Sequence, residues 1–150
     1  FLPSDKKERQ QVLEELKNDT RTVICYEAPH RLVKTLKELL EALGNRRITI
    51  CRELTKKHET AWQTHIAEAC EYYQENAPKG ECVLVIEGRS REELKAEEQE
   101  QWEQMPVEAH MEHYESQGMD HKSAMKQVAK DRGVSKRDIY RMLLELGQSD

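Results

Sequence analysis

The sequence lacks any apolar run approaching the roughly 18 residues that a membrane-spanning helix needs, so a soluble protein without a membrane partner is expected. Cysteine is scarce. Cys25, Cys51, Cys70 and Cys82 lie in apolar runs or on a helix face, no two of them spaced as a CxxC pair. They read as reduced core residues of a cytoplasmic protein. The glycines, Gly44, Gly80, Gly88, Gly118, Gly133 and Gly147, are dispersed, so no glycine-rich cofactor loop is present. Positive charge is also in deficit. A net charge of −5 argues against a surface that grips nucleic acid everywhere, and any such contact has to be local. His110 and His113 stand one helical turn apart with no third ligand evident, so no metal site is expected.

What the chain does have is chemistry concentrated at strand ends. Tyr26-Glu27-Ala28-Pro29-His30-Arg31 sits where an apolar strand, Thr22-Val23-Ile24-Cys25, gives way to an amphipathic helix, Leu32 to Leu43. A second polar cluster, Arg52 to Glu59, follows the strand Ile48-Thr49-Ile50-Cys51 in the same relative position. Ligands of α/β folds gather at strand ends, so the two clusters are expected to line one crevice.

The hydrophobic pattern predicts a charged helix from Asp5 to Lys17, strand 22–27, helix 31–43, strand 47–53, a polar strand near 60–66, helix 67–76 and strand 82–87. Five successive apolar residues from Cys82 to Ile86 suggest a strand covered on both faces. The fold class is therefore α/β with a mixed sheet. Trp62, Tyr72 and Tyr73 are expected to pack rather than to stack on bases.

Composition then divides the chain into an α/β subdomain at 1–90, a charged linker at 91–106 that is solvated or a frayed helix, and a helical module at 107–150. In the module, helices are expected at 107–117, 121–132 and from Ser135 to about Leu146. Ala129, Gly133 and Ile139 have the spacing of a small crossing residue, a turn glycine and a β-branched anchor in a helix-turn-helix. Ala124, Val128, Leu143 and Leu146 complete its core. Lys122, Lys126, Lys130, Arg132, Lys136, Arg137 and Arg141 supply a basic face, read either as phosphate contacts or as a solvated helical cap.

Three stretches, Thr22 to Arg31, Arg52-Glu53-Leu54-Thr55-Lys56 and Pro78 to Gly88, in this order and spacing, resemble the ribosomal RNA small subunit methyltransferase I family. The opening Phe1-Leu2-Pro3 resembles the junction between the two domains of those enzymes. The resemblance implies the second domain of a tetrapyrrole-methylase-like fold, followed by a small helix-turn-helix module. It implies S-adenosylmethionine as cofactor, 16S rRNA in the small ribosomal subunit as partner, 2′-O-methylation of a cytidine ribose as activity, and a homodimer. The family's glycine-rich loop belongs to the first domain, so this chain reads as the C-terminal portion, not expected to transfer methyl groups alone.

Within that frame the proton of a ribose hydroxyl has to be removed while the oxygen is held in line with the sulfonium carbon. Glu27, His30 and Glu53 are the candidate bases. Glu27 has a structural alternative as a loop cap, and His30 as a brace of the corner. Tyr26, Ala28, Pro29 and Gly88 are the cofactor-side candidates. Arg31, Arg52, Lys56 and Lys57, with Lys126, Lys130, Lys136, Arg137 and Arg141 of the tail, are the candidate RNA contacts. Arg52 and Glu53 can equally form an internal pair. The alternatives are a non-enzymatic nucleic-acid-binding module and a methylase of the same fold acting on a small tetrapyrrole.

Overall fold

The first ninety residues alternate helices with strands whose apolar positions recur every second residue. In the computed structural model, which describes residues 1–147, these are α1 (Lys6–Lys17), β1 (Val23–Glu27), α2 (Leu32–Leu43), β2 (Arg47–Arg52), β3 (Thr60–His65), α3 (Ile66–Glu75) and β4 (Cys82–Ile86). Asp5 caps α1, its carboxylate accepting from the Lys7 and Glu8 N–H groups at 3.0 Å and satisfying donors that a first helical turn leaves open. Leu32, Thr35, Leu36 and Leu39 form the buried stripe of α2 at offsets of zero, three, four and seven. Gly44 ends that helix in a conformation with φ of 82°.

The strands form one sheet in the order β1-β4-β2-β3 in which every neighbouring pair is antiparallel. This corrects the mixed sheet expected from the sequence. The crossovers β1-α2-β2 and β3-α3-β4 do join parallel strands. However, β4 inserts between β1 and β2, and β2 lies between β3 and β4, so no two parallel strands touch.

One face of the sheet meets α2 and α3. Cys25, Ile48, Ile50, Cys82, Leu84 and Ile86 are buried there with Leu36, Leu39, Ile66, Ala69 and Tyr73. Trp62 packs against this cluster, edge to face with Tyr72 and Tyr73 at 4.9 and 6.0 Å between centroids. The other face is bare within this unit. Val83 and Val85 are half-buried, while Ile24 and Tyr26 are 65% and 53% exposed. The five-residue apolar run of β4 thus reflects a central strand hydrogen-bonded on both edges, not one covered on both faces.

Contacts divide the chain into two units, Phe1–Ser90 and Arg91–Asp150. The second contains α4 (Arg91–Glu103), α5 (Val107–Glu115), α6 (His121–Arg132) and α7 (Lys136–Gly147). The stretch expected as a linker is thus a helix. It has no buried residue, but its last turn carries Trp102, whose ring stacks on His110 at 4.2 Å. Asp120 caps α6, and Ser135 and Asp138 cap α7 reciprocally. Ala129 and Ile139 are buried on either side of Gly133, which takes the left-handed conformation between α6 and α7. Leu146, expected in this core, is exposed. It shares the i, i+4, i+7 stripe of Ile139 and Leu143 but stands in the last turn of α7, outside the buried cluster formed with α5 and α6.

Arg132 departs from the basic face altogether. It is buried, its Nε donating to His110 Nδ1 at 2.9 Å and its Nη2 to the Met105 carbonyl. His110 Nε2 lies 3.0 Å from Asp131 Oδ2, and Asp131 also accepts from the Tyr114 hydroxyl and, at 2.9 Å, from Gln127. Since Arg132 only donates, His110 has to be neutral and carry its proton on Nε2.

Burial, opposed by Asp131 and reinforced by Arg132, lowers the His110 pKa below its ordinary 6.5. The unfolded chain then binds this proton more readily than the folded one, so stability falls as pH drops through about 6.5. Urea unfolding read from the Val128 and Ile139 amides is expected to show this loss between pH 7.5 and 5.5. A flat profile would place His110 outside the network.

Candidate functional site

Cys82, the first residue of β4, pairs with Glu27 at the end of β1 on one side and with Arg52 at the end of β2 on the other. The corner after β1, the loop after β2 and the turn before β4 therefore meet at one edge of the sheet. The two polar clusters thus lie at the same end of the sheet, separated by the width of β4, and the stretch preceding β4 lies between them.

In the corner, Ala28 is extended, as a residue before proline prefers, and Pro29–Arg31 form a single 3-10 turn that leads into α2. Glu27 follows the inward parity of Cys25 and is 3% exposed. Its Oε1 accepts from the Ala28 N–H at 2.8 Å and its Oε2 from the Thr35 hydroxyl at 2.5 Å. Arg31 Nε stands 3.8 Å from Oε1. Both carboxylate oxygens are thus engaged in holding the corner. Tyr26 points to the opposite face, with its ring 5.8 Å from that of Phe1. His30 and Arg31 are exposed.

The loop after β2 is strained. Glu53 and Thr55 have φ of 54° and 64°, a left-handed conformation that costs a non-glycine residue on the order of 1–3 kcal/mol. Short contacts hold it. The Lys56 N–H donates to the Glu53 carbonyl at 3.0 Å, and the Thr55 N–H to Glu59 Oε1 at 2.9 Å. Lys56 Nζ lies 3.4 Å from Glu53 Oε2. The Arg52 guanidinium reaches across to the Lys79 carbonyl, and the Glu53 carboxylate lies over Gly80, where a Cβ would stand 2.6 Å from Oε1. Arg52 Nε is buried without a hydrogen-bond partner among the described residues. Lys57 and His58 are exposed in this loop.

The structure thus brings Tyr26, Glu27, Ala28, Pro29, His30, Arg31, Arg52, Glu53, Lys56 and Lys57 to one edge. Gly88 does not join them. It lies past the far end of β4, and a Cβ there would overlap the backbone of Thr20 and Arg21. This glycine lets two backbone segments cross, a contact secured by the Arg89 N–H donating to the Asp19 carbonyl at 2.8 Å.

Sequence reasoning missed Thr35, Arg9 and Gly80. Thr35 left a signal, as the one polar residue in the apolar stripe of α2. Burial raises the Cys82 thiol, with Arg52 opposing, and pushes Cys25 up to about 11, so both stay protonated at neutral pH.

In the second unit, Lys126 and Lys130 on α6 and Lys136, Arg137 and Arg141 on α7 are exposed. Among the described residues no group of His, Cys, Asp and Glu can hold a metal ion, and no helix is long and apolar enough to cross a membrane.

Residues 1–70 match the family model of the tetrapyrrole (corrin/porphyrin) methylases. The chain is 49% identical over 140 residues to Ribosomal RNA small subunit methyltransferase I of Halalkalibacterium halodurans, covering 93% of this chain and 48% of that protein. It is 46% identical over 140 residues to the protein of the same name in Bacillus subtilis, with the same coverage. Against that of Synechocystis sp. it is 37% identical over 147 residues, or 97% of this chain and 51% of the relative. The chain spans about half the length of these relatives.

The glycine at position 80 yields a test. Gly80→Ala meets both a positive φ and the Glu53 carboxylate, whereas Gly44→Ala meets a positive φ with nothing within 4 Å. Urea denaturation is expected to show each variant costing on the order of 1–3 kcal/mol from backbone strain, with the Gly80→Ala cost, but not the Gly44→Ala cost, reduced when Glu53→Ala is combined with it. A Gly80→Ala cost indifferent to Glu53→Ala would mean that the Glu53 carboxylate does not rest on Gly80.

Proposed function

We propose that this chain, a relative of the ribosomal RNA small subunit methyltransferase I proteins whose first 70 residues match the tetrapyrrole methylases, is the C-terminal part of an S-adenosylmethionine-dependent enzyme that methylates a cytidine 2′-hydroxyl in 16S rRNA. The observation that supports this most directly is the pairing of Cys82 with both Glu27 and Arg52, which sets three polar segments side by side at one sheet edge.

The edge fits a cofactor with polar oxygens and a flat ring. Arg52 Nε is a buried donor in want of an acceptor, Ala28 presents extended main chain ahead of the Pro29 turn, and Tyr26 offers an exposed ring. S-adenosylmethionine, when bound, supplies an activated methyl group. The chain's own residues position and deprotonate. Glu27 fixes the corner, which leaves His30 and Glu53 to take the ribose proton. Arg31, Lys56 and Lys57 contact phosphate.

The α6–Gly133–α7 arrangement serves in this reading as a helix-turn-helix that lays Lys126, Lys130, Lys136, Arg137 and Arg141 on the phosphate backbone of the small subunit, a salt-sensitive and sequence-indifferent contact. The complete enzyme acts in the cytoplasm as a homodimer. That basic face also favours the second reading, a non-enzymatic nucleic-acid-binding module. A scaffold, however, has no use for a strained loop pinned to the turn before β4. A small tetrapyrrole substrate would have no use for the basic helices.

Labelled methyl transfer to small ribosomal subunits by the complete protein, with the modified nucleotide mapped, is expected to give a 2′-O-methylcytidine mark. Glu27→Ala and Arg31→Ala should each cut turnover at least about tenfold with the protein still folded. Near-wild-type turnover in both would remove the corner from the mechanism. Lys126→Glu with Lys130→Glu should weaken subunit binding and shrink its salt slope, by about one for each phosphate that is no longer neutralised. An unchanged slope would make the helices a cap.

A further inference from the structure

A chain of polar groups runs from the corner into the interior and out to α1. Arg9 on α1 donates through Nη2 to Thr35 Oγ1 at 2.7 Å and through Nε to Glu38 Oε2 at 2.5 Å. Thr35, fully buried on α2, donates its hydroxyl proton to Glu27 Oε2 at 2.5 Å. Glu27 in turn holds the Ala28 N–H at 2.8 Å.

The direction of this chain is forced. A guanidinium has only donors and an ionised carboxylate only acceptors, so the Thr35 oxygen has to receive from Arg9 and its proton has to go to Glu27. A buried threonine on a helix has a competing option, to turn its hydroxyl to the carbonyl four residues back. With its acceptor side held by Arg9, the hydroxyl is kept on Glu27. Arg9 itself is anchored by Glu38, which also faces Lys34 at 3.9 Å.

We infer that Arg9 and Thr35 are positioning residues: they act through Glu27 to hold the Tyr26–Arg31 corner in its working conformation, so that the placement of α1 against α2 is transmitted to the proposed cofactor-binding edge. The inference deepens the proposed function and rests on that reading for the purpose of the corner. The relay itself can be tested without it.

The Ala28 amide reports directly on the Glu27 carboxylate. In hydrogen exchange on the 150-residue chain, Thr35→Val and Arg9→Leu are each expected to speed Ala28 exchange by about tenfold, the effect of a weakened charge-assisted hydrogen bond. Leu84 and Ile86 in the central strand should keep their rates. Thr35→Ser, which restores the hydroxyl, should return Ala28 to within about twofold of wild type. Unchanged Ala28 exchange in both variants, or a change that merely follows Leu84 and Ile86, would overturn the relay. Should Thr35→Val fail to fold, Arg9→Leu, at a position nearer the surface, carries the same readout.

The complete protein separates the relay from the functional reading. Weaker S-adenosylmethionine binding by Arg9→Leu, reversed by no change in pH between 6 and 8, would support both. A loosened Ala28 with unchanged cofactor affinity would support the relay while removing cofactor contact from this corner.

Discussion

The insertion of β4 between β1 and β2 is the constraint on which the remainder depends. With β4 elsewhere, β1 and β2 could lie side by side as parallel neighbours, and the turn before β4 would end away from both polar loops. Because β4 runs down between them, Cys82 stands opposite Glu27 on one side and Arg52 on the other, and Gly80 is delivered under the Glu53 carboxylate. A long-range pairing thus creates the site, and local contacts then refine it. Arg52 crosses to the Lys79 carbonyl, and Glu53 accepts backbone strain in a place where a neighbouring glycine makes room for it.

The same economy appears in how buried polarity is used. In each unit a carboxylate is taken inside only with donors around it, Glu27 with Ala28 and Thr35, and Asp131 with His110, Tyr114 and Gln127. Left unpaired, either would carry a desolvation cost larger than any single hydrogen bond returns. The arginines that terminate these chains, Arg9 and Arg132, fix the direction of the Thr35 hydroxyl and the tautomer of His110. Neither arginine contributes to a cationic surface, which is why charge counting along the sequence overstates the basic face by Arg132.

Element positions were legible because periodicity reports them locally: β1, α2, β2, β3, α3 and β4 all lie within one or two residues of where apolar spacing puts them. Strand order was not, since nothing in the residues of β4 states which neighbours it will have. The burial of Glu27 could have been read from the two-residue period that it shares with Cys25, and the role of Thr35 from its place in an otherwise apolar stripe. His110 likewise stands three residues after Val107, on the buried side of α5. The strain at Glu53 and Thr55 had no signal, as neither residue type announces a left-handed conformation.

The central claim is that the edge shared by β1, β4 and β2 is where the cofactor is held. A crystal structure of the complete protein with S-adenosylmethionine bound tests it most directly. The account predicts the cofactor in contact with the Tyr26–Pro29 main chain and with Arg52, its oxygens satisfying the guanidinium Nε that has no partner here. A cofactor seated at the opposite end of the sheet, beside Gly88, or wholly outside this unit would contradict it.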